Sequence, residues 1–170
     1  MSAGGLYAGE INCLVSRLMV GVRWLGVFAR DELPDVSREI RPWCLILNTD
    51  PKDKPGTHWL ALYSPRNGPR EFFDSFGLPP STYSLESLDP LHLLYSFQSP
   101  STSVCGHYCI VYLFLRSRNK SLSQIFHFLL NISNRDVWVK RYTKYLQNLF
   151  RILKQCQHTG QCCQLKCQFC

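Results

Sequence analysis

The sequence predicts one folded domain that contains both α-helices and β-strands. The chain has 170 residues, which suffice for a single globular domain with a full-sized core. Apolar residues make up 45% of the chain and charged residues 18%, a balance that excludes a disordered or low-complexity protein. Near both ends of the chain, apolar residues recur at helical spacing. Between these segments lie short apolar runs that are separated by turn sequences, as in β-strands.

The first half of the chain combines one helix with strands. Apolar residues at the i, i+3, i+4, i+7 spacing predict a helix over residues 10–20. A loop is expected from there through Pro34 and Pro42. Short apolar runs bounded by turn-forming residues then predict strands at residues 43–48, 57–63, 70–76 and 93–97.

The second half is predicted to be helical. Residues 104–115 are apolar nearly all round, which is typical of a helix buried in the core. Further helices are expected over 121–130 and 136–154. The last of these carries aromatic and aliphatic residues on one stripe and most of its Lys and Arg off that stripe.

The end of the chain differs from the rest. Residues 1–155 are predicted to form the domain, and residues 156–170 an appended tail rich in Gln and Cys. Five of the nine cysteines lie in this tail: Cys156, Cys162, Cys163, Cys167 and Cys170. A zinc site is the weaker interpretation, because the spacing matches no standard zinc finger. A reduced tail without a metal, or a source of thiols for a disulfide-linked partner, are the alternatives.

Charge is distributed unevenly along the chain. Residues 1–115 carry nine Lys and Arg against eleven Asp and Glu, whereas residues 116–170 carry ten against the single acid Asp136. A strongly basic segment is the electrostatic signature of a protein that contacts a polyanion. The basic residues in 116–154 therefore predict a nucleic-acid partner, although a solvated helix face would give the same pattern.

Membrane and secretory segments are not expected. Arg17 and Arg23 interrupt the longest apolar stretch, so no membrane span is predicted. The start of the sequence, MSAGGLYAGE, lacks the basic and apolar regions of a secretory signal. The expected location is the cytoplasm, the nucleus or the interior of a particle, and the cysteines are expected to be thiols.

The order of polar residues predicts catalysis by a thiolate. Cys105 lies at the start of the predicted buried helix, where the helix dipole stabilises negative charge. His58 can act as its base, and Asp74, on the adjacent predicted strand, can orient that imidazole. The Gln98 side chain, with the Cys105 amide, can stabilise an oxyanion. Gly106 leaves space beside the thiol.

These residues stand in motifs that resemble those of the adenovirus endopeptidases (adenains), relatives of the proteases specific for ubiquitin-like proteins. The motifs are Gly-Thr-His58-Trp59, Phe-Phe-Asp74-Ser-Phe-Gly, and Gln98 followed seven residues later by Cys105-Gly106. The resemblance covers residues 10–130. The acid is Asp where adenovirus enzymes mostly have Glu, and the interval from Asp74 to Gln98 is shorter than in those enzymes.

The resemblance implies an α+β cysteine protease fold of the papain-like circuit, with helices packed on a central mixed sheet. Cys105 would be the nucleophile, His58 the base, Asp74 its orienting acid and Gln98 an oxyanion donor. Trp59 and Gly106 would contact the substrate, which in relatives carries small residues, typically Gly-Gly or Gly-X, at the scissile bond.

The same resemblance implies a setting for the activity. The chain is expected to process virion structural precursors in the host nucleus or cytoplasm and in the virion, with no cofactor required for the chemistry. Viral DNA and a basic capsid-derived peptide activate the adenovirus enzymes, so DNA and a peptide are the expected activators here.

Two other interpretations stay open. Within the same chemistry, the chain could be a deconjugating enzyme for ubiquitin-like modifiers. From a different class, it could be a basic DNA-binding protein that keeps an inactive protease fold. His107, two residues beyond Cys105, is expected to face the core, with an auxiliary role at the site as the alternative.

Overall fold

A computed structural model describes residues 5–54 and 56–159, with side chains described as far as Arg151. Within these residues the chain forms four α-helices and five β-strands. The helices are α1 (Ala8–Leu18), α2 (Cys105–Ser117), α3 (Leu122–Leu130) and α4 (Arg135–Thr159). The strands are β1 (Arg23–Phe28), β2 (Trp43–Asn48), β3 (Trp59–Ser64), β4 (Glu71–Phe73) and β5 (Leu91–His92). The predicted mixture of helices and strands is therefore confirmed.

The strands form one mixed sheet in the order β1-β2-β3-β4-β5. The three central strands pair antiparallel to one another, whereas β1 pairs with β2 and β5 with β4 in parallel. A parallel neighbour requires a long connection. The two connections, residues 29–42 and 74–90, both contribute apolar side chains to the same face of the sheet, and the second begins with the predicted acid Asp74.

The sheet separates two apolar clusters because successive strand residues point to opposite faces. On β2, Trp43, Leu45 and Leu47 face the two long connections, where Val36 and Leu85 cover them. Cys44 and Ile46 face the opposite side, which is covered by α1 and α2. Residues 105–113 of α2 are all buried, as the nearly uniform apolar character of this segment predicts. The first turn of α2 is therefore held firmly against the sheet.

Two features of the predicted sheet are wrong. The predicted strand at 93–97 is not a strand, and the last strand is the short β5, Leu91–His92, which precedes it. The rings of Tyr95 and Phe97 pack with Phe126 of α3, and the Phe97 and Gln98 amides both bond to the Ser75 carbonyl. These ring contacts and the two hydrogen bonds to Ser75 hold the segment in place of strand pairing. The second error is β1, which lies in the segment expected to be a loop.

None of the helices in the described part of the chain combines the length and the apolar character needed to cross a bilayer. The side chains of the Cys-rich tail, residues 156–170, lie outside the description, and the zinc interpretation for them stays a prediction. Among the described residues, no group of three or more His, Cys, Asp or Glu is arranged to hold a metal ion.

Candidate active site

His58 and Asp74 form a buried pair at one edge of the central strands. His58 immediately precedes β3, and Asp74 immediately follows its antiparallel neighbour β4. The start of β3 and the end of β4 lie side by side in this antiparallel pairing, which explains why residues sixteen positions apart touch. His58 Nε2 lies 2.7 Å from Asp74 Oδ1. The side chains are only 10% and 1% exposed, so water hardly weakens the contact.

Asp74 accepts three further hydrogen bonds. The Phe76 amide donates to Oδ1 at 2.9 Å, and the Leu78 amide donates to Oδ2 at 3.1 Å. The Tyr83 hydroxyl donates to Oδ2 at 2.9 Å. A carboxylate with several donors is held in its ionised form and in one orientation. The Phe76 ring also stacks on the His58 imidazole at 4.8 Å between centroids, which restricts rotation of the imidazole.

Burial and pairing shift both pKa values. Burial alone would lower the pKa of His58, but its hydrogen bond to Asp74 and the interaction with Cys105 outweigh burial and raise that pKa to about 9. Burial alone would raise the pKa of Asp74, yet His58, the Phe76 amide and the Tyr83 hydroxyl together lower it. The pair is therefore an imidazolium and a carboxylate at neutral pH.

Cys105 is the first residue of α2 and is 7% exposed. Cys105 lies close enough to His58 to contribute, after Asp74, to the raised pKa of that imidazole. Asp74 binds His58 Nε2, and Nδ1 is buried with no hydrogen-bond partner in the described part of the chain. Nδ1 is therefore the ring nitrogen that Asp74 leaves unbound.

Gln98 lies in the segment between β5 and α2 and is 3% exposed. Its Oε1 accepts a hydrogen bond from the Ser75 hydroxyl at 2.8 Å, and its Nε2 donates to the Thr102 carbonyl at 2.7 Å. These two contacts fix which end of the amide is the donor. Since an amide nitrogen carries two hydrogens, Nε2 keeps one for another acceptor.

A cleft of about 670 Å³ opens beside Cys105. Cys105, Ser103 and Trp59 line it, together with the N-terminal segment Gly5–Gly9. The Trp59 indole is fixed because its Nε1 donates to the Leu6 carbonyl at 3.1 Å. A side chain on Gly106 would come within 3.2 Å of both Ile11 and Trp59, so this glycine lets α2 pack closely against the cleft wall.

The cleft is also lined by the end of β1 and the loop after β2, including Phe28, Asp50 and Lys52. His58, Asp74 and Gln98 are not among its lining residues. Of the four proposed catalytic residues, Cys105 therefore lines the cleft and the other three do not.

Cys109 and His107, the other thiol and imidazole on α2, have different surroundings from Cys105 and His58. Burial raises the pKa of the Cys109 thiol, which donates to the Trp59 carbonyl at 3.3 Å. Burial and the charge of Lys140 lower the pKa of His107 to about 4, so this buried imidazole is neutral at neutral pH. Its electrostatic neighbours, Lys140 and Glu10, are not residues of the site, in agreement with the expectation that His107 faces the core.

A second surface combines aromatic rings with basic side chains along α4. The rings of Trp138 and Tyr142 stack at 4.7 Å between centroids, and Tyr145 continues the row at 6.0 Å. The buried stripe of the helix is adjacent: Val139, Thr143 and Leu146. Four exposed basic residues accompany the row, and no carboxylate pairs with them in the part of the chain with described side chains: Lys140, Arg141, Lys144 and Arg151.

The chain is similar to a protease of bovine adenovirus B serotype 3. The two sequences are 25% identical over 179 aligned positions, which cover 86% of this chain and 85% of the relative. The chain is thus a distant relative of an adenovirus protease. No protein-family model matches the sequence. The relationship covers most of the chain, and the name of the relative points to a peptidase.

Sequence reasoning missed two residues that support the site. Tyr83 bonds to Asp74, and its ring lies 6.2 Å from the His58 ring. It lies in a short 3₁₀ helix, Pro80–Tyr83, within the connection between β4 and β5. Ser75 fixes the Gln98 amide. Ser75 was visible in the Asp-Ser-Phe-Gly motif, but its bond joins segments 23 residues apart, which no local pattern reveals.

Proposed function

We propose that this chain is a cysteine endopeptidase of viral origin that processes virion precursor proteins. The observation that carries the proposal is the buried His58–Asp74 pair, which interacts with Cys105 at the start of α2 beside an open cleft. A thiol, an imidazole with a raised pKa and an ionised acid are the groups that a thiol protease needs. The distant relationship to an adenovirus protease supports the same class of reaction.

In the proposed reaction, the S–H proton of Cys105 passes to His58, and the resulting thiolate attacks the carbonyl carbon of the scissile peptide bond. The oxyanion that forms accepts hydrogen bonds from the Cys105 amide and from the free hydrogen of Gln98 Nε2. The His58 imidazolium then donates its proton to the leaving amine as the C–N bond breaks. His58, now neutral, takes a proton from water, whose oxygen attacks the thioester and releases Cys105. Asp74 orients the ring in both steps.

The proposed substrates carry small residues at the scissile bond. Trp59 is held in place beside Cys105 by its bond to Leu6, and Gly106 lets the wall of the cleft approach closely. A narrow passage at the thiol favours Gly-containing sequences such as Gly-Gly.

A second proposal concerns activators: the exposed basic side chains of α4 are suited to contact the phosphates of duplex DNA. An activating peptide and a location in the host nucleus, the cytoplasm or the virion complete the proposal.

The test is cleavage of a fluorogenic peptide that ends in Gly-Gly. The wild-type chain and Cys105→Ala are compared with and without duplex DNA at low salt. We expect cleavage by the wild type, at a rate that rises with DNA, and none above background by Cys105→Ala, because the thioester cannot form. Cys13→Ala is the matched control, since it removes an exposed thiol on α1 and should retain full activity.

Cleavage that persists in Cys105→Ala would show that another group performs the reaction and would contradict the assignment of the nucleophile. A folded wild-type chain that cleaves no peptide with DNA, or with a basic capsid-derived peptide added, would favour the inactive protease fold. A rate that does not respond to DNA would remove the proposed activator and leave the peptidase intact.

A further inference from the structure

Asp136 stands apart from the other charged residues of the second half of the chain. It is the only acid among residues 116–170, and it occupies the second position of α4. Its carboxylate is directed away from α4. Oδ2 accepts the Thr102 hydroxyl at 2.7 Å and the Ser99 amide at 3.1 Å, and Oδ1 accepts the Tyr108 hydroxyl at 2.8 Å.

The donors belong to the part of the chain that carries Gln98 and Cys105. Ser99 and Thr102 lie between those two residues, and Thr102 supplies the carbonyl to which Gln98 Nε2 donates at 2.7 Å. The Thr102 hydroxyl and amide also contact the Ser99 carbonyl, which closes a tight turn. A continuous set of hydrogen bonds therefore runs from Asp136 through Thr102 to the Gln98 amide.

Tyr108 connects the same carboxylate to α2. It lies three residues after Cys105 and is fully buried, and its hydroxyl is also within 3.1 Å of the Phe97 carbonyl. Arg135, the neighbour of Asp136, donates from Nε to that carbonyl at 3.2 Å. The start of α4 thus contacts the Gln98 segment at both of its ends, from Phe97 to Thr102.

We infer that Asp136 is a positioning residue for the peptidase reaction. It holds the turn from Ser99 to Thr102 so that the Gln98 amide keeps one hydrogen directed to the oxyanion. The inference rests on the proposed function, because it assigns a role in that reaction. An acid near the start of a helix ordinarily stabilises its own helix. Here the carboxylate instead receives hydrogen bonds from Ser99 and Thr102, between the two proposed oxyanion donors, and from Tyr108 on α2.

The experiment is a double-mutant cycle between Asp136→Ala and Gln98→Ala, with kcat and KM measured on the Gly-Gly peptide. We expect Asp136→Ala alone to lower kcat by roughly 10- to 100-fold with little change in KM, since a displaced oxyanion donor acts mainly on the transition state. In the Gln98→Ala background the same change should have almost no further effect, because the group that Asp136 positions is already absent.

Two further variants test the contacts separately. Asp136→Asn should recover most of the activity, since its oxygen can accept from the turn while its nitrogen donates to the Tyr108 hydroxyl. Thr102→Val removes the hydroxyl contact and keeps the carbonyl that binds Gln98. It should lower kcat less than Asp136→Ala does. These variants also complete the cycle if Asp136→Ala fails to fold, which thermal unfolding would reveal.

Alkylation of Cys105 by iodoacetamide separates positioning from general damage to the site. This reaction uses the thiolate but forms no tetrahedral oxyanion, so we expect its rate to stay within about twofold of wild type in Asp136→Ala. Alkylation that slows in parallel with kcat, or losses that add in the double variant, would overturn the inference. If the wild type cleaves the peptide and Asp136→Ala has the same kcat, the inference about Asp136 is overturned and the proposed function stands. An inactive wild type would overturn both.

Discussion

At His58, two effects act on one proton. Removal from water favours the neutral imidazole, whereas Asp74 and Cys105 favour the imidazolium, and the second effect prevails to give a pKa of about 9. Below that pH the ring holds the proton that the leaving amine needs. Above it the proton is lost, so peptide cleavage should decline as the pH rises past about 9.

Replacing Asp74 should move this alkaline limit. In Asp74→Asn the charge and the strong hydrogen bond that offset burial are gone, so the pKa of His58 should fall and activity should decline at a lower pH than in the wild type. The pH profile of kcat/KM on the Gly-Gly peptide measures the limit directly. Tyr83→Phe is the matched control because it removes one hydrogen bond from Asp74 and leaves the carboxylate on His58. Identical profiles for Asp74→Asn and the wild type would contradict this account.

The sequence predicted some residues of the proposed site and missed others for a physical reason. His58, Asp74, Gln98 and Cys105 stand in local motifs, so their order along the chain indicated the chemistry before any fold was known. Tyr83, Ser75 and Asp136 act only through bonds to residues 9 to 37 positions away. Such contacts depend on how loops cross, which neither periodicity nor spacing encodes.

At the scale of elements, the turn after β4 depends on one glycine. Gly77 has a φ of +70°, and a Cβ there would lie 2.4 Å from the backbone of Tyr95. Gly77→Ala therefore adds a clash with backbone to conformational strain, and we expect it to destabilise the protein by roughly 2–4 kcal/mol. Because the same turn follows Asp74, activity should fall as well.

Chemical denaturation of Gly77→Ala measures this loss. The matched control is Gly21→Ala, at a φ of +72° with nothing within 4 Å of the added Cβ, which should cost only the strain of about 1 kcal/mol. Equal losses for the two variants would mean that the approach of Tyr95 contributes nothing.

Elements with strong periodicity were predicted well, and those shaped by tertiary contacts were not. The four helices were expected within a few residues of their observed bounds, although α4 runs on to Thr159, beyond the expected end at 154. The strand β1 was not predicted because most of its residues are partly exposed and its register with β2 shifts between Trp24 and Gly26, so it shows no clear alternation. The segment 93–97 has the composition of a strand, but its aromatic rings pack against Phe126 of α3.

At the scale of the whole molecule, the exposed cations of α4 lie apart in sequence from the proposed catalytic residues. Those residues lie between His58 and Cys105, whereas the cations lie between Lys140 and Arg151. If duplex DNA activates the enzyme through these cations, replacing Lys140, Arg141 and Lys144 together with Gln should reduce stimulation by DNA and leave the rate without DNA unchanged. The slope of log affinity against log salt should become shallower by about 3.

Three exposed cations from the first half provide the control: Arg17, Arg38 and Arg66. Their replacement by Gln changes the net charge by the same amount. If both triple variants lose the same DNA affinity, binding follows the total charge of the protein and has no preferred surface.

The carboxylate of Asp74 also has a spectroscopic consequence. It holds the Phe76 and Leu78 amides, whereas the Gly77 amide between them donates to the Asp74 main-chain carbonyl. Solvent exchange of the two outer amide hydrogens should therefore accelerate relative to that of Gly77 as acid protonates the side chain, at a pH below the ordinary value for Asp. The exchange rates of the Phe76 and Leu78 amides relative to that of Gly77, measured by NMR, therefore report the protonation of Asp74. They can be measured in the Cys105→Ala chain with no substrate present.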